Sequence, residues 1–414
     1  MREAPQKGRR IELNEDSARW LTSAAGLAAV EALTAAVVTG EDELTLATRA
    51  RKRVEDPRCA AAATAAAVAR VRARPRWPQA DRLLFTRRGL EEASDPEVAE
   101  WRAAALLERH GGREPHVTDL TAGLGGDTIA LARAGARVTA VERDAARAVL
   151  LAHNLAASGV TAEVVVADAL EVDVPPGGCV VADPARRPAG RRASHLDAHE
   201  PPVTALLERH ARNAMALVLA PGVDPDDPGL GGQPVEVEYV QLGNQLTEAT
   251  VWLGALREAD VQARATLLPG PHGRSRGQRD DTLPVAEPGG YLVEVVPAAV
   301  RARVHDELGR EIGAWRLSEH RALLSTAARP PDSPWYQSRR IEATLPARAP
   351  ALRHWLHDRD EQPIEVVLHG VEADPTDWWR ELGRPPRGPQ GRRIELVRRR
   401  DDTIAVVTDA RTAR

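Results

Sequence analysis

The stretch that decides the fold runs Val117-Thr-Asp-Leu-Thr-Ala-Gly-Leu-Gly-Gly-Asp-Thr128. Its β-branched and apolar first half predicts a buried strand, and its glycines predict a tight turn that leads into a helix. Gly123, Gly125 and Gly126 permit backbone conformations, and a close approach of a ligand, that a Cβ atom would obstruct. We therefore expect a small molecule to bind over this turn.

Short apolar runs alternate with helical stretches on both sides of the turn. The runs that predict buried strands are HVTDLTA, RVTAVE, AEVVVAD, CVVADP and AMALVLAPG. Helices are predicted between them at 128–134, 145–157 and 202–213. This alternation indicates an α/β fold with a parallel sheet covered by helices on both faces. In such sheets a ligand binds beyond the carboxyl ends of the strands.

Regions of different character flank the predicted sheet. Before it, apolar positions at three- and four-residue spacing predict a helical N-terminal domain over 1–112. The glycine turn lies in a ligand-binding domain over 113–285. Beyond it, runs such as YLVEVV, IEVVLHG and TIAVVTD mix with predicted helices and indicate a small α+β domain over 286–414. A length of 414 residues agrees with about three domains.

Composition and charge exclude several classes of protein. The chain has 56 Lys+Arg against 60 Asp+Glu, a formal net charge of −4, which argues against a general polyanion-coating protein. Contact with a nucleic acid is then confined to local basic clusters. Cys59 and Cys179 are too few for a disulfide framework or a cysteine zinc site, and His195 and His199 have no spacing to a third ligand, so we expect no metal. Without a signal peptide or membrane span, the chain is expected in the cytoplasm and not at a membrane.

Acidic residues near the turn indicate which ligand it takes. A dinucleotide fingerprint would place a pyrophosphate here, but Thr128 occupies its third glycine position and Asp119 would repel the phosphates. A cationic aminoacyl sulfonium suits Asp119 better. Glu142 ends the second strand and could accept hydrogen bonds from ribose hydroxyls, and Asp168 ends the third, where an adenine amino group could donate to it. Taken singly, Glu142 and Asp168 could equally be strand ends that face solvent.

The fourth strand ends in Val181-Ala-Asp-Pro-Ala-Arg-Arg187. Pro184 biases Asp183 toward an extended conformation, so this carboxylate and its neighbouring carbonyls are presented at the end of the strand. Arg186 could stack on a base or hold a phosphate. The alternative is a strand-ending turn with Arg186 in an ordinary ion pair. Arg186, Arg187, Arg191 and Arg192 form a basic cluster that could clamp phosphates or belong to a solvated loop.

These motifs together resemble the class I S-adenosylmethionine-dependent methyltransferases. The glycine motif, the ribose acid and the adenine acid of that family match D-L-T-A-G-L-G-G at 119–126, Glu142 and Asp168, and the resemblance covers 113–268. It implies a Rossmann-like sheet and S-adenosylmethionine as the cofactor. The residues implied to bind the cofactor are Asp119, Thr121, Gly123, Gly125, Gly126, Asp127, Thr128, Glu142, Arg143, Asp168 and Ala169.

The family resemblance also gives the end of the fourth strand a role. Base-modifying members carry an [N/D/S]-P-P-[Y/F/W/R] motif there, which orients a planar amine or ring atom for in-line attack on the methyl group. In this chain Ala185 replaces the second proline and Arg186 stands in the aromatic position. The resemblance implies that Asp183 and Pro184 orient the methyl acceptor and that Arg186 contacts substrate. Methylation at pyrimidine C5 needs a nucleophilic cysteine, and neither cysteine of this chain is placed for it.

The remainder of the chain resembles bacterial methyltransferases with a THUMP-like C-terminal domain, a module named for RNA binding. The core is also similar to RNA methyltransferases of the trimethylguanosine-synthase type. Both resemblances imply RNA as the partner and an exocyclic amine of a base as the acceptor. Relatives tend to carry a basic E-I-K-K-R-G strand, whereas this chain has Glu365-Val-Val-Leu-His-Gly370. The arginines that could compensate are Arg392, Arg393, Arg398, Arg399 and Arg400.

Three functions follow for testing. The first is an S-adenosylmethionine-dependent methyltransferase that modifies a base nitrogen of RNA. The second is a methyltransferase that acts on a small molecule or a protein. The third is a cofactor-binding protein that interacts with RNA without turnover.

Overall fold

The computed structural model describes residues 13–111, 114–175, 178–185, 196–270, 272–276, 282–319, 321–383 and 391–409. The chain separates into two compact units. The first comprises 1–237 and 248–259, and the second comprises 238–247 and 260–414. The predicted helical region lies in the first unit with residues 113–237 and 248–259 of the predicted ligand-binding domain, whereas residues 238–247 and 260–285 of that domain lie in the second unit. The division into three domains stays a prediction.

Helices form the first part of unit 1, and the structure agrees with the helical pattern of the sequence. Their bounds are α1 Glu15–Thr22, α2 Ala24–Val38, α3 Glu43–Arg53, α4 Pro57–Ala73, α5 Arg87–Glu92 and α6 Pro96–His110. Each helix begins after a side chain that accepts a hydrogen bond from a backbone N–H of its first turn; these caps are Asn14, Ser23, Asp42, Asp56, Thr86 and Asp95. Pro57 and Pro96 occupy first-turn positions, where a missing N–H costs nothing.

A mostly parallel sheet follows in unit 1. Its elements are β1 His116–Asp119, α7 Gly126–Arg133, β2 Arg137–Val141, α8 Ala145–Ala157, β3 Glu163–Val165, β4 Cys179–Ala182, α9 Val203–Arg209 and β5 Ala214–Leu219. The strand order is β3-β2-β1-β4-β5, and all of these neighbours run parallel. This arrangement confirms the predicted α/β, Rossmann-like fold. The order reverses between β1 and β4, which places the ligand crevice at their carboxyl ends.

A hairpin that the sequence did not predict follows the parallel strands. It consists of β6 Glu236–Leu242 and β7 Gln245–Leu253 and is divided between the two units. In unit 1, β7 pairs antiparallel with β5, with Leu217 opposite Val251. Trp252 on β7 is completely buried among residues such as Val117 and Val181. Trp252 of β7 thus belongs to the core of the unit 1 sheet.

The helices α1 to α5 share a core with the glycine turn. One buried cluster joins Leu21, Leu33 and Leu84 of the helical region to Leu124 of the turn and Leu150 of α8. Burial of side chains of this size stabilises a fold by about 1.5–3 kcal/mol each. The helical region therefore packs directly against the part of the sheet that carries the predicted site.

Unit 2 contains strands and short helices, as predicted for the C-terminal region. Its further elements are β8 Ala263–Leu268, β9 His272–Arg276, β10 Tyr291–Val295, α10 Pro297–Arg301, α11 His305–Glu311, β11 Trp315–Ser318, β12 Arg321–Thr326, β13 Tyr336–Pro346, α12 Ala349–His357, β14 Pro363–His369, α13 Pro375–Leu382, β15 Arg392–Arg398 and β16 Thr403–Asp409. Seven strands form one sheet in the order β11-β12-β10-β13-β16-β15-β14. Leu352 on α12 and Leu382 on α13 pack on Ile394 and Leu396 of β15.

Among the described residues, no single helix has both the length and the apolar character of a membrane span. Helices α1 and α2 meet that criterion only as a pair, and the chain bends by 80° between them.

Candidate active site

The glycine turn has the conformation that its sequence predicts. Gly123 and Gly125 have φ angles of +56° and +97°, a backbone region that residues other than glycine rarely adopt. Gly125 is also the N-cap of α7, and a Cβ atom on it would lie 2.8 Å from Cδ1 of Leu151. The turn thus needs glycine at Gly125 for both its backbone and its packing.

Asp119 lies beneath the turn at the end of β1 and is 2% exposed. The hydroxyl of Thr128 donates to its Oδ2 at 2.6 Å, and the backbone N–H of Thr121 donates to its Oδ1 at 3.3 Å. Burial, and then the charge of Asp127, raise the pKa of Asp119 to about 7, while the hydrogen bonds from Thr128 and Thr121 oppose that rise. Asp119 therefore holds the two ends of the turn together.

Arg102 supports the candidate site from α6, and the sequence analysis missed it. This completely buried guanidinium on α6 lies 2.6 Å from Oδ1 of Asp127 and forms an ion pair with Glu248 of β7. It also donates to the hydroxyl of Ser94 at 3.0 Å. Asp127, predicted to bind the cofactor, thus has a carboxylate oxygen engaged by Arg102. The sequence signal for this contact was Asp127 itself, an acidic residue in the glycine turn. The sequence does not show which basic residue pairs with it.

Glu142 follows β2 directly and is 5% exposed. Its Oε1 accepts a hydrogen bond from the backbone N–H of Asp144 at 2.8 Å and lies 3.2 Å from Nη2 of Arg147. Burial raises the pKa of Glu142, and the charge of Arg147 opposes this effect. The neighbouring Arg143 forms a half-exposed ion pair with Glu200 at 2.8 Å. Glu142 is thus a shielded carboxylate at the position predicted for a ribose contact.

Asp168 and Ala169 follow β3 at the same edge of the sheet. The side chain of Asp168 is exposed and accepts a hydrogen bond from the backbone N–H of Leu170 at 2.9 Å. Ala169 is buried. The structure therefore places Asp168 at a strand end, where the sequence analysis expected a contact with adenine.

Asp183 and Pro184 follow β4, beside the glycine turn. The backbone N–H of Asp183 donates to the hydroxyl oxygen of Thr121 at 2.6 Å, which ties the two loops together. Pro184 is buried, and Ala185 exchanges two backbone hydrogen bonds with Glu200, at 2.9 and 3.1 Å. Because β4 adjoins β1 in the sheet, Asp183 and Asp119 end neighbouring strands. Arg186, together with the remaining arginines of its cluster and His195, lies outside the described residues.

Asn154 on α8 is a second residue that the sequence analysis missed. This fully buried amide donates to the carbonyls of Leu84 and Leu124, both at 3.0 Å, and accepts from the backbone N–H of Leu84 at 2.8 Å. It therefore fixes the glycine turn to the segment before α5. An asparagine in an alanine- and leucine-rich helix gives no sign of this role by itself.

Comparisons with known proteins identify the family. A family model described as that of a proposed SAM-dependent methyltransferase matches residues 98–171. An uncharacterized S-adenosylmethionine-dependent methyltransferase of Mycobacterium tuberculosis strain H37Rv is 31% identical over 299 residues, which cover 72% of this chain and 80% of that protein. The chain belongs to the S-adenosylmethionine-dependent methyltransferases. Its cofactor is therefore S-adenosylmethionine, and it is an enzyme of methyl transfer.

Two further proteins are similar to this methyltransferase. The crystal structure of a proposed methyltransferase from Porphyromonas gingivalis W83 superposes with a TM-score of 0.72 at 19% identity and covers 93% of this chain and 98% of that one. It shows that the fold is shared over nearly the whole length. A 23S rRNA (uracil(1939)-C(5))-methyltransferase of Acidithiobacillus ferrooxidans is 38% identical over 105 residues, which cover 24% of this chain and 23% of that protein.

Proposed function

We propose that this methyltransferase modifies an exocyclic amine nitrogen of a base in RNA. Bound S-adenosylmethionine supplies a methyl group on a sulfonium centre, and a neutral amine nitrogen displaces the sulfur in line. S-adenosylhomocysteine is the leaving group, and the methylated nitrogen gives one proton to water, so the methyl group replaces a hydrogen. Catalysis of this kind depends mainly on proximity and orientation.

The proposal assigns the cofactor to the residues around the glycine turn. Asp119 contacts the ammonium group, directly or through water, and Glu142 accepts from the ribose hydroxyls. Asp168 accepts from the adenine amino group. The remaining cofactor residues of the proposal are Thr121, Gly123, Gly125, Gly126, Asp127, Thr128, Arg143 and Ala169. The positions of Asp119, Glu142 and Asp168 at the ends of three adjacent strands support this assignment.

The observation that carries the acceptor proposal is the hydrogen bond from the backbone of Asp183 to Thr121. It holds Asp183 and Pro184 beside the turn that binds the cofactor. A carboxylate there can accept a hydrogen bond from an exocyclic N–H and leave the nitrogen lone pair directed at the methyl group. Arg186 contacts the substrate in this proposal.

The cysteines of the chain support transfer to nitrogen over transfer to a pyrimidine carbon. Cys59 lies in α4 and Cys179 begins β4, and both are buried. Burial raises the pKa of Cys179 to about 11, so this thiol is a poor nucleophile near neutral pH. The relative that acts at uracil C5 supports RNA as the substrate class but not this carbon as the acceptor.

The C-terminal region is proposed to act as a THUMP-like RNA-binding domain in the cytoplasm. The structure changes which of its arginines are candidates for RNA contact. Arg392 pairs with Glu361 at 2.6 Å, Arg393 with Glu294 at 2.8 Å, and Arg399 with Asp402 at 2.8 Å. Because these guanidiniums hold carboxylates at 2.6–2.8 Å, the better candidates are the exposed Arg398 and Arg400, of which Arg400 has only a longer contact of 3.9 Å with Glu319.

The decisive experiment is methyl transfer from labelled S-adenosylmethionine to total RNA of a deletion strain. We expect label in RNA with the wild-type protein, and loss of it with Asp183→Ala while cofactor binding persists. Arg186→Ala should raise the KM for RNA. Label in a protein or small-molecule fraction alone would overturn the RNA proposal, and cofactor binding without any transfer would favour a protein that interacts with RNA without turnover.

A further inference from the structure

Unit 2 contains a buried group of charged side chains that the proposed function does not use. It consists of Glu294 on β10, Arg339 on β13, His369 on β14, and Arg393 and Glu395 on β15. We call these five residues the unit 2 cluster. They come from four strands of one sheet, although up to 101 positions of sequence separate them.

Three members of the unit 2 cluster present metal-binding atoms to one another. Nε2 of His369 lies 2.8 Å from Oε2 of Glu395. One carboxylate oxygen of Glu294, one of Glu395 and one imidazole nitrogen of His369 all lie within 4.8 Å of each other. Glu395 is 0% exposed, whereas Glu294 and His369 keep side-chain exposures of 24% and 17%. The group is therefore shielded but reachable from one side.

One buried hydroxyl beside the cluster points independently to a ligand. The hydroxyl of Thr408 has no hydrogen-bond partner among the described residues, and Thr408 is 0% exposed, whereas Oε1 of the equally buried Glu395 forms an ion pair with Nε of Arg393 at 2.5 Å. Thr408 lies opposite Arg393 across β15 and β16, so it faces the same side of the sheet. A buried polar group without a partner costs about 1–3 kcal/mol, and such groups in proteins are ordinarily satisfied by water or an ion.

We propose that Glu294, His369 and Glu395 bind one divalent d-block metal ion, for which zinc is the representative. An imidazole nitrogen with two carboxylate oxygens suits zinc or manganese, whereas magnesium and calcium prefer oxygen ligands alone. Arg339 and Arg393 then orient the ligating carboxylates by hydrogen bonds, as outer partners of metal ligands commonly do. The ion would join β10, β14 and β15 and stabilise unit 2.

A modest rearrangement suffices for binding. Zinc bonds of about 2.0–2.1 Å set tetrahedral ligand atoms roughly 3.3 Å apart. The ligand atoms now lie within 4.8 Å of one another. Rotations of the partly exposed Glu294 and His369 side chains can close that difference without moving a strand.

The test is titration calorimetry on the full chain without an affinity tag, after treatment with a chelator. We expect zinc chloride to bind at one site per chain and magnesium chloride to bind at least about tenfold more weakly. His369→Ala should weaken zinc binding by at least about tenfold, and Glu294→Gln should do the same. Zinc should also raise the Tm of the wild-type protein but not of either variant.

His354→Ala is the matched control, because His354 lies in the same unit, is 81% exposed and pairs with Asp358 at 3.4 Å. Its zinc affinity should equal that of the wild type. Absence of zinc and manganese binding to the wild type at roughly millimolar metal would overturn the proposal, since built sites bind far more tightly. Binding that persists in folded His369→Ala and Glu294→Gln would overturn it as well.

Discussion

At the scale of single residues, Asp119 combines two properties that ordinarily exclude each other. Its oxygens accept hydrogen bonds from Thr128 and Thr121, which favours the carboxylate. Its burial, together with the charge of Asp127, favours the protonated acid and raises its pKa to about 7. The residue is therefore poised to change its charge near neutral pH when a cationic ligand approaches.

Binding of S-adenosylmethionine is expected to strengthen as pH rises from about 6 to about 8, because the proposed ammonium contact requires ionised Asp119. The wild-type Kd should fall by roughly tenfold over that range, and binding should release a proton. Calorimetry in buffers of different ionisation enthalpy measures both effects. Asp119→Asn should bind more weakly and show no such pH dependence; a parallel pH profile in this variant would refute the contact.

The stability of the cofactor-free protein provides the corresponding control. An acid whose pKa is raised by folding keeps its proton in the folded state after the unfolded chain has lost it. The free energy of unfolding of the wild type should therefore decline relative to Asp119→Asn between pH about 4 and pH about 7, and stay level above that. Denaturant titrations at several pH values give this difference.

Gly125→Ala tests the turn itself. The positive φ costs about 1–2 kcal/mol for a residue with a Cβ, and the contact with Leu151 adds about 1–3 kcal/mol. We expect a loss of stability of about 2–5 kcal/mol by denaturant titration, with weaker cofactor binding. Gly135→Ala is the matched control, because Gly135 has a φ of +101° but open space around its Cβ position. An equal loss in both variants would contradict the packing argument.

At the scale of elements, the site depends on α6 and α8 as much as on the strands. The guanidinium of Arg102 on α6 forms ion pairs with Asp127 at the start of α7 and with Glu248 on β7. Asn154 joins α8 to the turn and to the segment before α5. These buried polar contacts fix the turn to its surroundings in one geometry, because few alternative partners exist inside the core.

Arg102→Met is expected to cost about 3–5 kcal/mol of stability, because it leaves the carboxylates of Asp127 and Glu248 shielded without their cation. The change should also weaken cofactor binding through the turn. Thermal and denaturant unfolding measure the cost. Arg87→Met is the control, since the Arg87 and Glu91 pair is more than 60% exposed on both sides and such pairs contribute about 0–1 kcal/mol. A loss below 1 kcal/mol for Arg102→Met would disprove the role.

At the scale of the whole molecule, a net charge of −4 limits how the RNA of the proposed function can bind. A protein without a general positive excess must use a few exposed arginines, and most arginines of β15 are held in ion pairs. The more accessible arginines near this strand are Arg398, which is exposed, and Arg400, which is 77% exposed and lies 3.9 Å from Glu319. RNA affinity should therefore rest on few phosphate contacts and respond only moderately to salt.

The double variant Arg398→Glu and Arg400→Glu is expected to lower RNA affinity and to reduce the slope of log K against log salt by roughly 1–2. Filter binding at several salt concentrations measures both quantities. The double variant Arg87→Glu and Arg380→Glu serves as the charge-matched control, because both arginines are exposed and pair with Glu91 and Asp377. An equal loss in the control would show a nonspecific effect of net charge instead of a local RNA contact.

The helices and strands of the described residues show which elements could be predicted from the sequence. Helix α8 begins and ends where the sequence predicts, and β1, β2 and β4 lie within their predicted runs. The strands β6 and β7 were missed because buried acids interrupt their apolar pattern. Glu236 is 0% exposed, and its charge is balanced by Arg109 at 2.7 Å, a residue 127 positions away. Local periodicity cannot show a partner at that distance.

By itself, the sequence determined the α/β fold, the glycine turn and the acids at the strand ends, because these depend on local periodicity and on the conformations that glycine permits. Only the tertiary structure decided that Arg102 and Asn154 support the turn, that Arg392, Arg393 and Arg399 are held by carboxylates, and that Glu294, His369 and Glu395 converge. Those outcomes depend on which side chains meet across strands and helices far apart in the chain. Burial then fixes their charges and hydrogen bonds, since a buried polar group must find its partner within reach.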